Sequence, residues 1–345
     1  MTLRRSAATL WLWVCVTLTC GAIVVCLVFA PGRGGTPEIG LAWLLFVGSS
    51  VHVASTSWLF TNSDLRHFAW EHRARYVWAP VGLAVAGMVL SVTMSRPLLT
   101  WAVLLLLLWQ LHHFQKQNLG QVALVGASRG LMPLHRGERA AICATGAAGI
   151  GRVWANPALL QLDVRPPLHG CVTWLATLLL MVGVLAGVVA MSRRRSRDRP
   201  PGFCVMYGLA LVFPLPIFLF SSPYAAVAGM TMAHGLQYLL LIGLVAAGHH
   251  RRKKIAQVLQ VSVLALVGGG ALNLMSHLHG GGDPFRLFFG LYLGLLAGHF
   301  VVDAGIWRLR EPFVRGFLAQ RVGYLVEPAP LPEPRLRLPI DRLPI

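Results

Sequence analysis

Residues 97–114 read PLLTWAVLLLLLWQLHHF, an apolar run without Asp, Glu, Lys or Arg that ends in two histidines. A helix crosses the hydrocarbon core of a bilayer with about 20 mostly apolar residues, so this run is long enough to span one. Similar runs recur along the chain, with short connections between them. The clear spans are predicted at residues 7–30, 41–60, 77–95, 97–114, 168–191, 202–220, 224–248, 255–276 and 286–307.

The composition also indicates a membrane protein. Apolar residues make up 56% of the 345 positions and charged residues 12%, with a mean hydropathy of +0.64. Soluble domains carry about 25% charged residues, so this chain lacks the polar surface to face water all round. We predict an all-α, polytopic transmembrane helix bundle of nine or ten spans at 1–310, embedded in a lipid bilayer. A cytoplasmic Pro/Arg-rich tail is predicted at 311–345.

A tenth span depends on segment 139–158, which is rich in Ala and Gly and is interrupted by Arg152. If this segment crosses, the basic stretches at 192–200 and 249–254 fall on the same side as Arg4. Lys and Arg collect in cytoplasmic loops. We therefore predict ten crossings of the cell membrane with both termini cytoplasmic, and a protein-enclosed helix at 139–158.

The charge and the cysteines narrow the possible partners. The formal net charge of +18 is almost all arginine, since lysine occurs only at 116, 253 and 254. These arginines lie scattered between spans, whereas nucleic-acid binding needs a solvated basic face. We expect anionic lipid headgroups as partners, and no nucleic acid. The six cysteines form no CxxC pair and no CxxCH motif, so neither a zinc ribbon nor covalently attached haem is indicated.

Five of the thirteen histidines lie inside predicted spans or at the C-terminal end of one, while His169 lies at the start of its span. An ionisable residue within a span is costly, which makes it a functional hypothesis by default. Residues three or four apart share a helix face. On each of the four predicted helices that carry these histidines, a histidine has a polar neighbour at this spacing. These neighbours are Ser49 and Thr56 for His52, Gln117 for His113, Gln237 and Tyr238 for His234, and Asp303 for His299.

Neutral imidazole is a common ligand of Zn, Cu, Fe and Ni. With a rise of about 1.5 Å per residue, His52 and His299 each lie about 12 Å from the cytoplasmic ends of their spans. We predict a metal site, with iron as the metal and a haem between two histidines as the alternative. Asp303 and Gln237 are predicted to orient ligands or substrate in catalysis. The predicted metal ligands are His52, His234, His299 and one of His112 and His113, which point to different helix faces.

Simpler roles compete with this prediction. Each histidine can instead bond a backbone carbonyl or a hydroxyl of a neighbouring helix. Asp303 lies near the cytoplasmic end of its span, where it can pair with Arg308 or Arg310. The spacing HxxxH or HxxHH, typical of membrane desaturases and hydroxylases, is absent among these intramembrane histidines.

Three short stretches carry a resemblance: HHFQKQNLG from His112, HGLQYL from His234 and HFVVDAGIWRLR from His299. They resemble motifs in an uncharacterised group of bacterial polytopic membrane proteins. In style they are similar to the Brp/Blh carotene-cleaving oxygenases, multi-span proteins whose buried iron is held by histidines from several helices. The chain has no diagnostic motif of that oxygenase family, so the resemblance implies an intramembrane metal and assigns no ligand.

Together these features predict a membrane-embedded, His-liganded metalloenzyme, an iron-dependent oxidoreductase that acts on a lipophilic small molecule. A bilayer-enclosed site would exclude water and strengthen each electrostatic contact. A multi-span transporter is the alternative, because Gly- and Pro-interrupted spans and intramembrane polar groups also line substrate paths. A haem-binding electron carrier is the third possibility.

Overall fold

A computed structural model describes residues 2–32, 35–248 and 254–326. Helices make up 84% of it and these residues contain no strand, which confirms the all-α polytopic bundle. Eight described helices are long and apolar enough to cross a membrane, and we number them as spans in chain order. The first to eighth spans are Ser6–Val28, Ile39–Thr61, Ala74–Thr93, Arg96–Ser128, His169–Ser192, Tyr224–Ala247, Lys254–Gly280 and Asp283–Ile306.

The predicted span at 202–220 is not one long helix. It consists of two shorter helices, Pro201–Val212 and Leu215–Leu219. Pro214 and Pro216 cause the break, since a proline inside a helix removes a hydrogen-bond donor and clashes with the preceding turn. By length, this segment therefore falls short of the eight spans, although it is apolar throughout.

The fourth span is longer than its apolar run predicts. It continues past Phe114 to Ser128, 33 residues in all, which is about 50 Å at 1.5 Å per residue. The added residues 115–128 include several polar side chains and are largely buried, because their amides find partners in neighbouring helices. Gln115, for example, donates to the carbonyls of Ile142 and Ala210, at 2.8 and 2.9 Å.

Segment 139–158 falls mainly in a helix, Arg136–Ala155, whose N-terminus is capped by His135 and Glu138. It packs against the fourth and fifth spans and Pro201–Val212. Its many small residues permit this close packing: a Cβ on Gly146 would overlap Gln115. The predicted crossing of the membrane by this helix stays a prediction.

Contacts along neighbouring helices give their directions. Where helices are antiparallel, the numbers rise along one as they fall along the other. The even-numbered spans run parallel to one another, and the first, third and seventh run opposite to them. The first span is antiparallel to the sixth, because Thr19 contacts Gln237 and Ile23 contacts Gly229. The second is antiparallel to the seventh, through Val51–Gly269 and Trp58–Gln257. The third is antiparallel to the eighth, through Pro80–Gly298 and Ser91–Arg286.

The two shorter segments complete this alternation. Helix Arg136–Ala155 runs opposite to the fourth span, and it also runs opposite to the fifth. Helix Pro201–Val212 runs opposite to the fourth span too. For helix Arg136–Ala155 and the fourth span, the contacts are Trp101–Trp154 and Gln115–Gly146. For the same helix and the fifth span, they are Thr145–Gly183 and Gly151–Ala176. For helix Pro201–Val212 and the fourth span, they are Gly126–Phe203 and Gln115–Ala210. Ten consecutive segments therefore alternate in direction, the arrangement that ten crossings require.

The C-terminal ends of the even-numbered spans gather at one end of the bundle, which we call the basic end. There Arg194 of the 192–200 stretch forms a buried ion pair with Glu138, at 2.9 Å. The predicted tail begins with a helix, Pro312–Val322, which packs against the sixth span. It packs because Phe317 and Leu318 are apolar and buried. Residues 249–253 and 327–345, with His249 and His250, lie outside the described residues.

Candidate metal centre

Four histidines from four parallel spans meet in the interior of the bundle. His52 comes from the second span, His113 from the fourth, His234 from the sixth and His299 from the eighth. Their rings contact one another in a closed cycle. The ring centroids are 5.0 Å apart for His52–His234, 4.9 Å for His234–His113, 5.3 Å for His113–His299 and 5.2 Å for His299–His52. We call this set the four-histidine cluster.

The cluster is buried and its nitrogens lack hydrogen bonds. The four side chains are between 1% and 7% exposed. Six of the eight ring nitrogens are buried without a hydrogen-bond partner: both of His52, both of His234, and Nε2 of His113 and His299. The carbonyls of Gly48 and Ser49 lie near the His52 ring, though not in hydrogen-bond geometry. Buried polar atoms are normally satisfied, so this concentration calls for a ligand.

Asp303 closes one side of the cluster. Its Oδ2 lies 3.7 Å from Nε2 of both His113 and His299. Its Oδ1 accepts hydrogen bonds from the Tyr238 hydroxyl at 2.9 Å and from Trp307 Nε1 at 3.2 Å. The structure shows no pairing of Asp303 with Arg308, which donates to the Ala304 carbonyl instead.

Two overlapping sets of three residues could each hold a metal ion: His52, His234 and His299, and His113, His299 and Asp303. Within each set, one ligand atom per residue lies within 4.8 Å of the others. His299 is common to both, and its Nδ1 is engaged by Thr56 at 2.8 Å. Its Nε2 is buried without a hydrogen-bond partner, so this nitrogen is available to either set.

The ring spacing fits ligation of a single ion. A metal–nitrogen bond of about 2.1 Å places the imidazole centroid about 3.2 Å from the metal. Two imidazoles at cis or tetrahedral angles then have centroids about 4.5–5.2 Å apart. The four separations, 4.9–5.3 Å, match this interval to within about 0.1 Å.

Irregular helix geometry positions His52. The second span passes from α-helix to a π-turn at Val47–Val51, back to α-helix at His52–Ser55, and then to a 3-10 turn at Thr56–Thr61. Single π-turns inside helices occur frequently at functional sites. The π-turn also brings the backbone of Gly48 against Gly235 of the sixth span, next to His234, with no room for a Cβ on Gly235.

Thr56 and Tyr238 connect His299 and Asp303 through hydrogen bonds. Thr56 Oγ1 lies 2.8 Å from His299 Nδ1 and 2.9 Å from the Tyr238 hydroxyl. Tyr238 donates to Asp303, which completes a loop of contacts back to His299. A hydrogen bond to the nitrogen that does not face the metal fixes the tautomer and orientation of a metal-ligating imidazole.

Gln237 lies at a junction of helices rather than against the cluster. Its Oε1 accepts from Gln121 at 2.7 Å and from Gln117 at 3.3 Å, and its Nε2 donates to Thr19 at 2.5 Å. Gln117 also donates to the His234 carbonyl, at 3.1 Å. These bonds tie the first, fourth and sixth spans together beside His234. A catalytic role for Gln237 stays a prediction.

The structure brings four of the five predicted ligands together and leaves one outside. His112 is exposed on the outward face of the fourth span, while the adjacent His113 is buried in the cluster. Thr56 and Tyr238 lie near the histidines, as their helical spacing predicts, whereas Trp307 was not predicted. That residue follows Asp303 by four positions, so the same-face rule could have found it. Thr19, on another helix, carries no such signal.

Comparison with known proteins adds no relative: no family model, curated protein or solved structure matches the chain. The fold and the site define its class by themselves. The chain is a multi-pass helical bundle with membrane-length apolar helices and a buried His/Asp group that could hold a metal ion.

Proposed function

We propose that this chain is a membrane-embedded metalloenzyme, an iron-dependent oxidoreductase for a lipophilic substrate. Its single ion is held by His52, His113, His234 and His299, with Asp303 as a fifth ligand or as an orienting partner. The observation that carries the proposal is the meeting of unpartnered buried ring nitrogens from four parallel spans, two of which, Nε2 of His113 and of His299, lie 3.7 Å from Asp303 Oδ2.

The electrostatics of the cluster favour a bound cation. A buried carboxylate is costly unless it is paired, and two neutral hydrogen-bond donors are the partners of Asp303 Oδ1. A divalent ion beside Oδ2 would supply the missing positive charge. It would also engage ring nitrogens that otherwise pay the full cost of desolvation.

The donor set favours iron among the metals that imidazole binds. Structural zinc sites are almost always closed and four-coordinate. Four imidazoles and one carboxylate offer five donors, and none is sulfur. Histidine and carboxylate ligands with an open position are typical of non-haem iron that reacts with dioxygen. When bound, such an ion would supply the redox chemistry, and the chain would position it and exclude water.

The same geometry disfavours a haem. A porphyrin with two histidines as axial ligands needs a slot between the two rings. Here each ring contacts two others of the cluster at 4.9–5.3 Å. A porphyrin between any opposing pair would occupy the positions of the remaining two histidines. We therefore expect a purified protein without a Soret band.

A lipophilic substrate follows from the surroundings of the site. Aromatic rings pack directly on the histidines: Phe114 against His234 at 4.3 Å and Phe300 against His113 at 4.7 Å. The fourth and eighth spans expose large apolar side chains, among them Leu105, Trp109 and Leu295. An apolar molecule dissolved in the bilayer can approach such a site without losing hydration.

Orientation follows from the basic end. We infer from the positive-inside rule that this end faces the cytoplasm, and that both termini lie on that side. Its arginines would then contact the anionic headgroups of the inner leaflet.

Metal analysis of detergent-purified protein tests the proposal. We expect about one iron per chain in the wild type, and a large loss of metal in His52→Ala, His234→Ala and His299→Ala. His112→Ala is the matched control, since it removes a neighbouring imidazole outside the cluster and should retain the metal. A folded wild type without metal, or equal loss in the His112 variant, contradicts the proposal. Solute uptake by metal-free proteoliposomes would favour the transporter.

A further inference from the structure

The structure points to a lateral entrance. We propose that an apolar substrate reaches the metal centre sideways from the acyl chains of the bilayer, between the fourth and eighth spans, past Trp109 and Phe300. The inference rests on the proposed function, since it requires a metal at the four-histidine cluster.

Two aromatic rings form the wall at this place. Phe300 is buried, and its ring lies 4.7 Å from His113 at an interplanar angle of 28°. Phe300 also follows His299 directly in the chain, with ring centroids 5.8 Å apart. On its other side, Phe300 contacts Trp109 edge-on at 5.4 Å. Trp109 is 38% exposed, so the chain of rings runs from the cluster to the outer surface.

This wall faces lipid rather than water. The outward face of the fourth span carries Leu105, Trp109 and His112, at helical spacing. Trp109 lies 13 residues from Arg96, about 20 Å along the helix, within the length that crosses a hydrocarbon core of about 30 Å. An exposed side chain at this depth meets acyl chains.

The cluster is least enclosed on the same side. His113 is the most exposed of the four histidines, at 7% against 1–4% for the others. It sits one helical turn from Trp109, so the two side chains are neighbours along the fourth span, with Trp109 on the lipid side of His113. A change of rotamer at Trp109 would shorten the wall to the single ring of Phe300.

The chemistry of this entrance selects for apolar molecules. A molecule dissolved in the acyl chains exchanges one apolar environment for another as it passes the two rings. A hydrated ion or a strongly polar molecule would lose its hydration there without gaining a hydrogen-bond partner, which is energetically costly. Trp109 and Phe300 therefore act as specificity-determining residues, without touching the metal.

A pair of thiols with the same donor atom tests the entrance. The protein is loaded with Co²⁺ in lipid nanodiscs, and the rise of thiolate-to-cobalt absorbance is followed after mixing. One thiol is hexanethiol, which partitions into lipid, and the other is 2-sulfanylethanesulfonate, which stays in water. Each loses its proton to the buffer as sulfur binds the metal.

We expect Trp109→Ala to raise the association rate of hexanethiol roughly tenfold, equivalent to about 1.4 kcal/mol of barrier. The rate for the sulfonate should not change, and Trp109→Phe, which keeps a ring, should give a smaller rise. Trp174→Ala is the matched control, because Trp174 is 78% exposed on the fifth span and is not part of the proposed wall. Phe300→Ala gives a second reading of the same wall.

Three results would overturn the entrance: equal hexanethiol rates in Trp109→Ala and wild type, an equal rise in Trp174→Ala, or an equal rise for the sulfonate. If Phe300→Ala fails to retain metal, the Trp109 variants decide the matter alone. Failure of the wild type to bind Co²⁺ would overturn the proposed function together with the entrance. Normal metal binding with unchanged rates would overturn the entrance only.

Discussion

At the scale of single residues, the cluster depends on which atom each histidine presents. His299 is the clearest case, because Thr56 engages its Nδ1 and leaves Nε2 facing Asp303. A hydroxyl that fixes one nitrogen of an imidazole also fixes the direction of the other. Thr56 is therefore a positioning residue for the proposed ion rather than a ligand.

Thr56→Val tests this role, since it removes the hydroxyl and keeps a side chain of similar size. Loss of a hydrogen-bond partner of a metal ligand typically lowers metal affinity about 10–100-fold. We expect a loss in this range, measured by competition with a chelator of known affinity, and a change in the visible spectrum of the Co²⁺ protein. Thr56→Ser restores the hydroxyl and should keep both near wild type. Equal affinities for the valine and serine variants would remove Thr56 from the site.

The sequence predicted those site residues whose position within an apolar run makes their burial in a membrane costly. His52, His234 and His299 stand out because each interrupts an apolar run. The choice between His112 and His113 could not be made, since it depends on which face of the fourth span turns inward. That face is decided by tertiary packing: buried amides such as Gln115 bind carbonyls of other helices.

At the scale of elements, the second and sixth spans approach each other at glycines. A Cβ on Gly235 would overlap the Gly48 carbonyl, beside two histidines of the cluster. Close backbone approach through small residues is typical of helices packed in membranes. It also couples the spacing of the spans to the position of His52 and His234.

Gly235→Ala should therefore disturb stability and metal binding together. Overpacking of a tight contact costs about 1–3 kcal/mol, and we expect a lower thermal unfolding midpoint and reduced metal content. Gly243→Ala is the control on the same helix, where a Cβ would meet nothing within 4 Å. It should leave both properties unchanged. Wild-type behaviour of the Gly235 variant would show that this contact does not set the geometry of the site.

Element boundaries were harder to predict than the elements themselves. The apolar run of the fourth span ends near Phe114, but the helix continues to Ser128 because its polar residues are satisfied inside the protein. The segment at 202–220 reads as one run, yet Pro214 and Pro216 divide it. Hydropathy reports the preference of side chains for lipid, and these two outcomes depend on backbone hydrogen bonds and on neighbouring helices.

At the scale of the whole molecule, ten helical segments alternate in direction. This places the loop before Arg136–Ala155 at the basic end and the loop after it at the opposite end. The positive-inside rule then predicts opposite sides of the membrane for the two loops.

Accessibility of single cysteines tests this topology. In a cysteine-free background, Met132→Cys and Asp163→Cys flank helix Arg136–Ala155 at exposed positions. We expect a membrane-impermeant maleimide to label the Asp163 variant in intact cells, and the Met132 variant only after permeabilisation. Labelling of both from the same side would mean that this helix does not cross. The reverse pattern would invert the orientation of the protein.

The proposed metal centre depends on the ligand atoms of its residues, on the contacts between helices and on the parallel direction of four spans. X-ray absorption at the iron edge of purified wild-type protein measures it most directly. We predict a shell of nitrogen and oxygen neighbours at about 2.0–2.2 Å, with the outer-shell scattering of three to four imidazoles. Sulfur neighbours, a spectrum without imidazole scattering, or absence of any metal edge from folded protein would contradict a four-histidine centre.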